Sequence, residues 1–471
     1  MGNKEYKVVS LFSGAGGLDL GLVMSGRFTI VFANDILTPA MRTYSENLGL
    51  KMRICDTGSV EAEPGVALAC DIEKVSFSEL RNADIDIVVG GPPCQDFSIV
   101  RGPDWDRKGI AVKRGRLYAH FVRALVILQP KAFIFENVPG LTSANKGLAY
   151  KVILEDFSNL KLRWKEVKKL LKNRNNDSRD VQGYEILLSE IVDFSRLGVP
   201  QKRERLIIIG IRRDLVRDIN TLWAARRILE RYLSGRKWLF WKFPLTPLEV
   251  FEGKTLPELG DRYAEIMKAW EGVWEEVGTK KAIEWKKKIW DRLTFDVVAD
   301  YLWINRIGRV SSEELERAWE EHRSVLEELG YLGRPVYTLS LPDSTTQPPR
   351  ENPAVIERMK RIPPGENHEF VRGTKWEVEG RGISLVYRRL HPLRPAYTIV
   401  AYGGGGTHGY HYERGRATLT LRERARLQTF PDKFLFSGSK SEIRAQIGEA
   451  VPPLASKRIG TALAELLDLL G

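Results

Sequence analysis

A short apolar run that ends in a cluster of glycines, close to the start of the chain, most constrains the fold. Residues 8–12 are apolar apart from Ser10, and residues 13–17 (SGAGG) precede a helix-like apolar stretch. Strand, glycine loop and helix in this order are typical of a nucleotide-type site, because glycine lets backbone approach a ligand and the helix offers free N–H groups. The G-x-G-G spacing differs from the G-x-G-x-x-G of dinucleotide enzymes, so the loop alone does not identify a cofactor.

Further apolar runs predict a doubly wound α/β sheet. Residues 28–33 form a second strand that ends at Asn34 and Asp35, and an acid about 20 residues past the glycines suits a ribose diol. Residues 70–72 mark the end of a third strand or the turn after it. Three later runs complete the predicted strands, at residues 83–89, 131–135 and 206–211.

A thiol stands directly after the fourth predicted strand. Gly90, Gly91, Pro92 and Pro93 lead into Cys94. A buried structural cysteine is the commoner case. However, ligands of open α/β sheets bind outside the carboxyl ends of the strands, where Glu136 also falls at the end of the fifth strand. We therefore expect the thiol and the acid to share one cleft, with the thiol as a nucleophile.

Composition narrows the class of protein. The 471 residues carry a net charge of +12, which favours a polyanionic partner, most often nucleic acid. Three cysteines are too few for a disulfide framework, and they lack the spacing of a zinc site. Few cysteines fit a reducing compartment, and no long apolar run is present, so we expect a cytoplasmic protein without a metal.

Four ordered blocks resemble the DNA (cytosine-5) methyltransferase family, in its prokaryotic restriction-modification form. They are residues 12–17 (FSGAGG), 93–95 (PCQ), 136–138 (ENV) and 201–205 (QKRER), and residues 419–432 and 448–453 are similar to the family as well. The match covers residues 8–213 and about 386–465. It implies a Rossmann-like S-adenosylmethionine-dependent methyltransferase domain with a second, smaller target-recognition domain.

The resemblance implies a donor site at the glycine loop. The loop would hold the methionine part of S-adenosylmethionine, Asp35 the ribose hydroxyls, and Asp71, Ile72 and Pro92 would border the adenine. Glu449 stands where the family usually has Asn, and Ser10 where many members have Asp. The complete set implied for the donor comprises Phe12, Ser13, Gly14, Ala15, Gly16, Gly17, Asp35, Asp71, Ile72, Pro92, Glu449 and Ala450.

The resemblance also implies the chemistry. The Cys94 thiolate would add to C6 of a cytosine, C5 would then take the methyl group, and Glu136 would hydrogen-bond N3 and the exocyclic amine. Arg203 and Arg205 would bind phosphate and cytosine through their forked donors, and Arg205 would help to lower the thiol pKa. Because C6 is not accessible in a stacked duplex, the base must flip out. The residues expected to contact DNA are Gln95, Ser98, Arg101, Asn137, Gln201 and Thr398.

The predicted organisation has three parts. Residues 1–213 form the catalytic domain, residues 214–385 a Trp-rich, partly helical recognition domain, and residues 386–471 a return to the catalytic domain. Apolar residues at a spacing of three to four predict one helix across residues 263–277, and Ser311 begins another. Residues 403–409 predict a DNA-facing glycine loop, and residues 463–470 a terminal helix that packs on the first domain.

We therefore expect a DNA cytosine-5 methyltransferase that acts on double-stranded DNA as a monomer, with a cognate restriction endonuclease as a possible partner. A tRNA cytosine-5 methyltransferase on the same scaffold is an alternative, although the long Trp-rich middle region disfavours it. A catalytically inactive DNA-binding homologue is another, against which Cys94, Glu136, Arg203 and Arg205 argue. A nicotinamide oxidoreductase would explain the glycine loop but not Cys94.

Overall fold

An eight-stranded mixed sheet organises the first part of the computed structural model. The structure describes residues 4–55, 58–93, 116–168, 171, 181–378, 386–401 and 409–471. The strands are β1 Tyr6–Leu11, β2 Phe28–Asp35, β3 Lys51–Ile54, β4 Val60–Glu61, β5 Val66–Ala69, β6 Val75–Ser76, β7 Ile87–Gly90, β8 Ala132–Asn137, β9 Tyr184–Asp193 and β10 Glu204–Arg212. The large sheet has the order β3-β5-β2-β1-β7-β8-β10-β9, while β4 and β6 form a separate pair.

The described residues also form helices in both units. They are α1 Gly17–Met24, α2 Thr38–Leu48, α3 Arg116–Leu128, α4 Leu148–Ser158, α5 Leu160–Val167, α6 Ile219–Leu233, α7 Pro247–Glu252, α8 Gly260–Lys268, α9 Val273–Val277, α10 Lys280–Lys288, α11 Val297–Ile304, α12 Ser312–Glu328, α13 Pro353–Met359, α14 Leu421–Leu427, α15 Lys440–Glu449 and α16 Pro453–Leu470. None of these helices combines the length and apolarity that a bilayer crossing requires.

The central strands confirm the predicted doubly wound sheet. β1 pairs in parallel with β2 and β7, and β7 pairs in parallel with β8. Their side chains are almost all buried, as expected for parallel strands that are covered on both faces. Strands predicted at residues 8–12, 28–33, 131–135 and 206–211 are confirmed within a few residues.

One strand prediction differs from the structure. Residues 70–72 lie in the turn after β5, which is one of the two predicted alternatives, whereas the strand predicted at residues 83–89 begins only at Ile87. Asp84 has a φ of 48°, and the Asp86 carboxylate accepts the Lys7 N–H at 2.9 Å, so this segment is a turn. The ten-residue β9 was not predicted, because its charged residues obscure the apolar pattern of this edge strand.

The chain divides into two compact units. Unit 1 comprises Met1–Asp193, Glu204–Lys237 and Ala450–Gly471, and unit 2 comprises Phe194–Arg203 and Trp238–Glu449. These bounds differ from the predicted domains. Residues 214–237 belong to unit 1, because α6 packs on α16 and β9, and residues 386–449 belong to unit 2.

Within unit 1, the terminal helix packs on the glycine-loop helix, as the sequence predicts. A Cβ added to Gly21 of α1 would lie 1.9 Å from the Ser456 Oγ of α16. That hydroxyl donates to the Gly17 carbonyl at 3.2 Å. Close approach at Gly21 therefore allows the last helix to support the end of the glycine loop.

Unit 2 is mainly helical, and the single helix predicted across residues 263–277 is wrong. The segment forms α8 and α9, separated by a turn in which Gly272 has a φ of 75°. The predicted apolar face is nevertheless buried, including Trp270 and Trp274. The predicted start of α12 is confirmed, since the Ser311 hydroxyl accepts the Glu314 N–H at 3.1 Å.

A disulfide joins Cys55 and Cys70 in unit 1. The sequence argued against disulfides, because neither spacing nor cysteine number indicated one. The pairing arises because β3 and β5 run parallel, so Cys55 and Cys70 follow the ends of adjacent strands. Cys70 directly precedes Asp71, so the crosslink secures the backbone on the predicted adenine side of the donor site.

Removing this crosslink should destabilise unit 1. The pair closes a loop of 15 residues, and loss of that constraint is expected to cost about 3 kcal/mol of unfolding free energy. The Cys55→Ser/Cys70→Ser variant should therefore unfold at lower denaturant concentration than the oxidised wild type. Alkylation of the denatured protein should label one cysteine before reduction and three afterwards. Labelling of three cysteines before reduction would contradict the pairing.

Candidate active site

The candidate site lies at the carboxyl edge of the sheet in unit 1. The strand order reverses direction between β1 and β7, which is the place where open α/β sheets bind ligands. The glycine loop follows β1, Gly91 follows β7, and Glu136 lies near the end of β8. Three predicted site segments are therefore brought to one edge.

Glu136 forms an ion pair with Arg205. The Arg205 Nε lies 3.0 Å from the Glu136 Oε1, and the two side chains are 14% and 13% exposed. β10 runs antiparallel to β8, with Leu206 opposite Asn137. Arg205, near the beginning of β10, therefore lies at the carboxyl edge of the sheet. This pair fixes the carboxylate in one orientation while leaving part of it accessible.

Asn137 and Gly91 determine how the segment before Cys94 packs next to the Glu136 carboxylate. The Asn137 Nδ2 donates to the Pro92 carbonyl at 2.9 Å, so this buried amide supports the chain two residues before the cysteine. A Cβ built on Gly91 would lie 2.7 Å from the Glu136 Oε2. The glycine thus leaves the space in which the Glu136 carboxylate sits.

The glycine loop has the backbone that the sequence predicts. Phe12, Gly14 and Gly16 all have positive φ values, of 55°, 53° and 88°. A Cβ on Gly16 would lie 2.7 Å from the Tyr44 ring, whereas a Cβ on Gly14 would meet no atom within 4 Å. The loop is therefore packed against α2 at Gly16 and open at Gly14.

Asp35 is tied directly to this loop. Its Oδ2 accepts the Gly14 N–H and its Oδ1 accepts the Leu37 N–H, both at 2.9 Å. Burial raises the pKa of Asp35, and these backbone hydrogen bonds oppose the rise. Each carboxylate oxygen has a second lone pair with which to accept a ligand hydroxyl.

Several of the other predicted donor residues follow strand ends in unit 1. The Ser13 hydroxyl donates to the Asn34 carbonyl at 3.1 Å, and the Asp71 carboxylate accepts the Glu73 N–H at 3.0 Å. Ala15, Ile72 and Pro92 are buried. Glu449 is exposed at the end of unit 2, and Ala450 begins the last segment of unit 1. The predicted roles of these residues remain predictions.

Arg203 and Gln201 have hydrogen-bond partners within unit 2. Arg203 is 1% exposed and donates to the carbonyls of Ile399 at 3.1 Å and Gly448 at 2.9 Å. Gln201 is fully buried, and its Nε2 donates to the Leu427 carbonyl at 2.8 Å. Both side chains thus donate internal hydrogen bonds, and their predicted phosphate and DNA roles remain predictions.

The structure describes only some of the other residues that were predicted to contact DNA or the target base. Thr398 is exposed, and its hydroxyl donates to the Lys202 carbonyl at 2.7 Å. The predicted loop at residues 403–409 is described only at Gly409. Four predicted residues lie outside the part of the chain that the structure describes, namely Cys94, Gln95, Ser98 and Arg101.

The sequence did not assign a role to Gly91 or Asp19. Its position in the sequence could have indicated a role for Gly91. It directly follows a predicted parallel strand, and the next predicted strand ends beside Glu136. Asp19 lies on α1 and is fully buried; its Oδ2 accepts from the Ser10 hydroxyl at 2.7 Å. Ser10, which stands where the family often has Asp, thus has a buried partner beneath the glycine loop.

The mostly parallel mixed sheet, with helices packed on it, is consistent with the Rossmann-like methyltransferase class of fold, and comparison identifies the family. The family model described as C-5 cytosine-specific DNA methylase matches residues 6–465, so the chain belongs to that family. The predicted enzyme class, DNA (cytosine-5-)-methyltransferase, is thereby confirmed.

Relatives extend over nearly the whole chain. The DNA (cytosine-5-)-methyltransferase M.ApeKI of Aeropyrum pernix is 67% identical over 98% of this chain and 99% of its own length. The type II methyltransferase M.NgoFVII of Neisseria gonorrhoeae is 31% identical over 96% of this chain and 84% of its own. A solved structure described as a DNA modification methyltransferase of an E. coli prophage shares the fold, with a TM-score of 0.52 and 22% identity over 98% and 100% of the two chains.

Gly91→Ala should disturb catalysis without disturbing the fold. The added methyl group would displace the end of the Glu136 side chain, which can move without backbone strain. Because small misplacements of a catalytic group are costly, we expect the single-turnover methylation rate to fall roughly hundredfold. Gly140→Ala is the matched control, since a Cβ there meets no atom within 4 Å. Equal rates for the two variants would contradict this role of Gly91.

Asp19→Asn should stabilise the protein at neutral pH. Burial raises the pKa of Asp19 from 3.8 to about 6, so folding favours the protonated carboxyl. Its favourable contribution is therefore complete below pH 3.8 and is lost as the pH rises through about 6. Asparagine cannot ionise, so the variant should gain up to roughly 3 kcal/mol at neutral pH and little in acid.

Chemical denaturation across this pH range measures the difference. Asp468→Asn provides a control of opposite sign, because Arg27 lowers the pKa of Asp468 through a hydrogen bond at 2.7 Å. A stability difference between wild type and Asp19→Asn that does not change with pH would show that ionisation of Asp19 is not the cause.

Proposed function

We propose that the chain transfers a methyl group from S-adenosylmethionine to C5 of a flipped-out cytosine in a specific double-stranded DNA sequence. The observation that carries this proposal is the Glu136–Arg205 ion pair beside Gly91 and Pro92, which lead directly to Cys94. The type II names of the relatives support a role as the modification enzyme of a restriction-modification system. Such an enzyme acts on chromosomal DNA in the cytoplasm, and a cognate endonuclease would recognise the same site.

The residues present fit the proposed methyl donor. Gly14 leaves open space beside the loop, and Asp35 can accept hydroxyl hydrogen bonds next to it. The loop 12–17 would bind the methionine part, Asp35 the ribose, and Asp71, Ile72 and Pro92 the adenine. S-adenosylmethionine supplies a methyl group made electrophilic by a sulfonium. Glu449 and Ala450, at the junction of the two units in sequence, are proposed to complete this site.

Cys94 supplies the nucleophile in the proposed reaction. Its thiolate adds to C6, which shifts the electron pair of the C5–C6 bond to C5 and makes that carbon nucleophilic. C5 then takes the methyl group, a base removes the C5 proton, and the returning electron pair expels the thiolate. The products are 5-methylcytosine, S-adenosylhomocysteine, which keeps the electron pair of the broken sulfur–methyl bond, and the free enzyme thiolate.

Glu136 positions the cytosine and stabilises the adduct. A carboxyl beside N3 and the exocyclic amine can exchange hydrogen bonds with both as charge develops on the ring. Arg205 holds Glu136 through the ion pair and adds positive charge at the same edge. Gln95, Ser98 and Arg101 are proposed to contact the flipped base or its phosphates, and Thr398 the DNA.

Bisulfite sequencing of an unmethylated plasmid treated with the purified protein and S-adenosylmethionine tests the function. Protected cytosines should recur in one short sequence context. Methylation of tRNA but not of plasmid, measured in parallel with a radiolabelled donor, would replace DNA by RNA as the substrate. Modification of neither nucleic acid, with DNA binding retained, would favour the inactive homologue.

Cys94→Ala should abolish methyl transfer, because alanine cannot add to C6. Duplex binding, measured by fluorescence anisotropy, should remain within a few-fold of wild type, since phosphate contacts supply much of the affinity. A double-stranded substrate with 5-fluorocytosine at the target should trap wild type covalently but not the variant. Turnover by the variant would contradict the nucleophile assignment.

A further inference from the structure

Unit 2 contains a cleft of about 580 Å³ whose charged lining is entirely basic. Four cationic side chains line it, namely Arg350, Arg424, Lys440 and Arg444. The other lining residues include Thr418 and Thr420, and no lining residue is acidic. A cavity of this composition has the chemistry of an anion site.

Arg424 is the central observation. It lies on α14 and is 2% exposed. Among the described residues, no carboxylate lies within ion-pair distance of its guanidinium, and no side-chain hydrogen bond from it is found. Burial lowers the pKa of Arg424 to about 10, and the neighbouring Arg444 adds to this effect. A buried cation without a counter-ion is costly, so an anion bound beside Arg424 would offset that cost.

The neighbouring arginines show that this arrangement is unusual for the unit. Arg422 and Arg426 lie on the same short helix and are also buried, but they pair with Asp343 at 2.8 Å and with Asp432 at 2.5 Å. Glu423, which stands between them, pairs with Arg416 at 2.6 Å. These acids are therefore paired with other arginines, and of the three arginines of α14 only Arg424 lines the basic cleft.

We propose that this cleft binds a backbone phosphate of the DNA. The forked guanidinium of Arg424 would bind the phosphate oxygens at the floor, while Lys440, Arg444 and Arg350 at the rim would bind the same or adjacent phosphates. The inference rests on the proposed function only in taking DNA as the source of the phosphate. Phosphate contacts carry no sequence information, so this site adds affinity and register but not target choice.

Arg424→Met tests the proposal through DNA binding. Affinity for the target duplex and for an unrelated duplex should fall by the same factor, roughly tenfold, and the slope of log affinity against log salt should decrease by about one. Arg372→Met is the matched control, because it removes the same charge from an exposed site of unit 2 that does not line the cleft.

Thermal stability separates this role from a structural one. Removing an unpaired buried charge should leave the melting temperature unchanged or raise it, whereas loss of a structural arginine would lower it. If Arg424→Met does not fold, Lys440→Met/Arg350→Met tests the exposed rim with the same readouts. Binding losses no larger than those of Arg372→Met would overturn the proposal. Absence of methylation by wild type would instead overturn the proposed function.

Discussion

The contact between Gly91 and the Glu136 carboxylate is the constraint on which the catalytic edge depends. β7 and β8 are parallel neighbours with Gly90 opposite Phe135, so the residues that follow these two positions must lie side by side. One of them is Glu136, and the other is Gly91, which has no side chain. The glycine therefore lets the strand that leads towards Cys94 end directly beside Glu136.

The orientation of Glu136 depends on a different property of the sheet. If β10 ran parallel to β8, its first residues would lie at the opposite edge. Because it is antiparallel, Arg205 precedes Leu206 at the carboxyl edge and reaches Glu136. The antiparallel direction of β10 thus places Arg205, from the basic block of residues 201–205, next to Glu136. Asn137 adds a second restraint by holding the Pro92 carbonyl.

The sequence predicted those parts of the molecule that local patterns determine. Buried strands, the glycine loop and the acid at the end of β8 follow from apolar runs and turn residues, and the ordered blocks identified the family. Non-local pairing was not accessible in the same way. The disulfide depends on β3 and β5 being neighbours, and the break between α8 and α9 depends on Gly272, which a periodic apolar pattern does not register. The predicted domain bounds followed blocks of sequence, whereas the units follow packing.

The arginines show most clearly that net charge alone does not indicate which cationic side chains are accessible to a ligand. A net charge of +12 predicts a polyanionic partner, and the arginines were interpreted accordingly. Yet Arg203 and Arg389 are buried and donate to backbone carbonyls, so they contribute charge to the composition without presenting it to a ligand. A planar group with five donors can satisfy several carbonyls that lie outside regular helices and strands, which abound in unit 2. The informative cation is therefore one that is buried without such partners, and Arg424 meets that criterion among the arginines of α14.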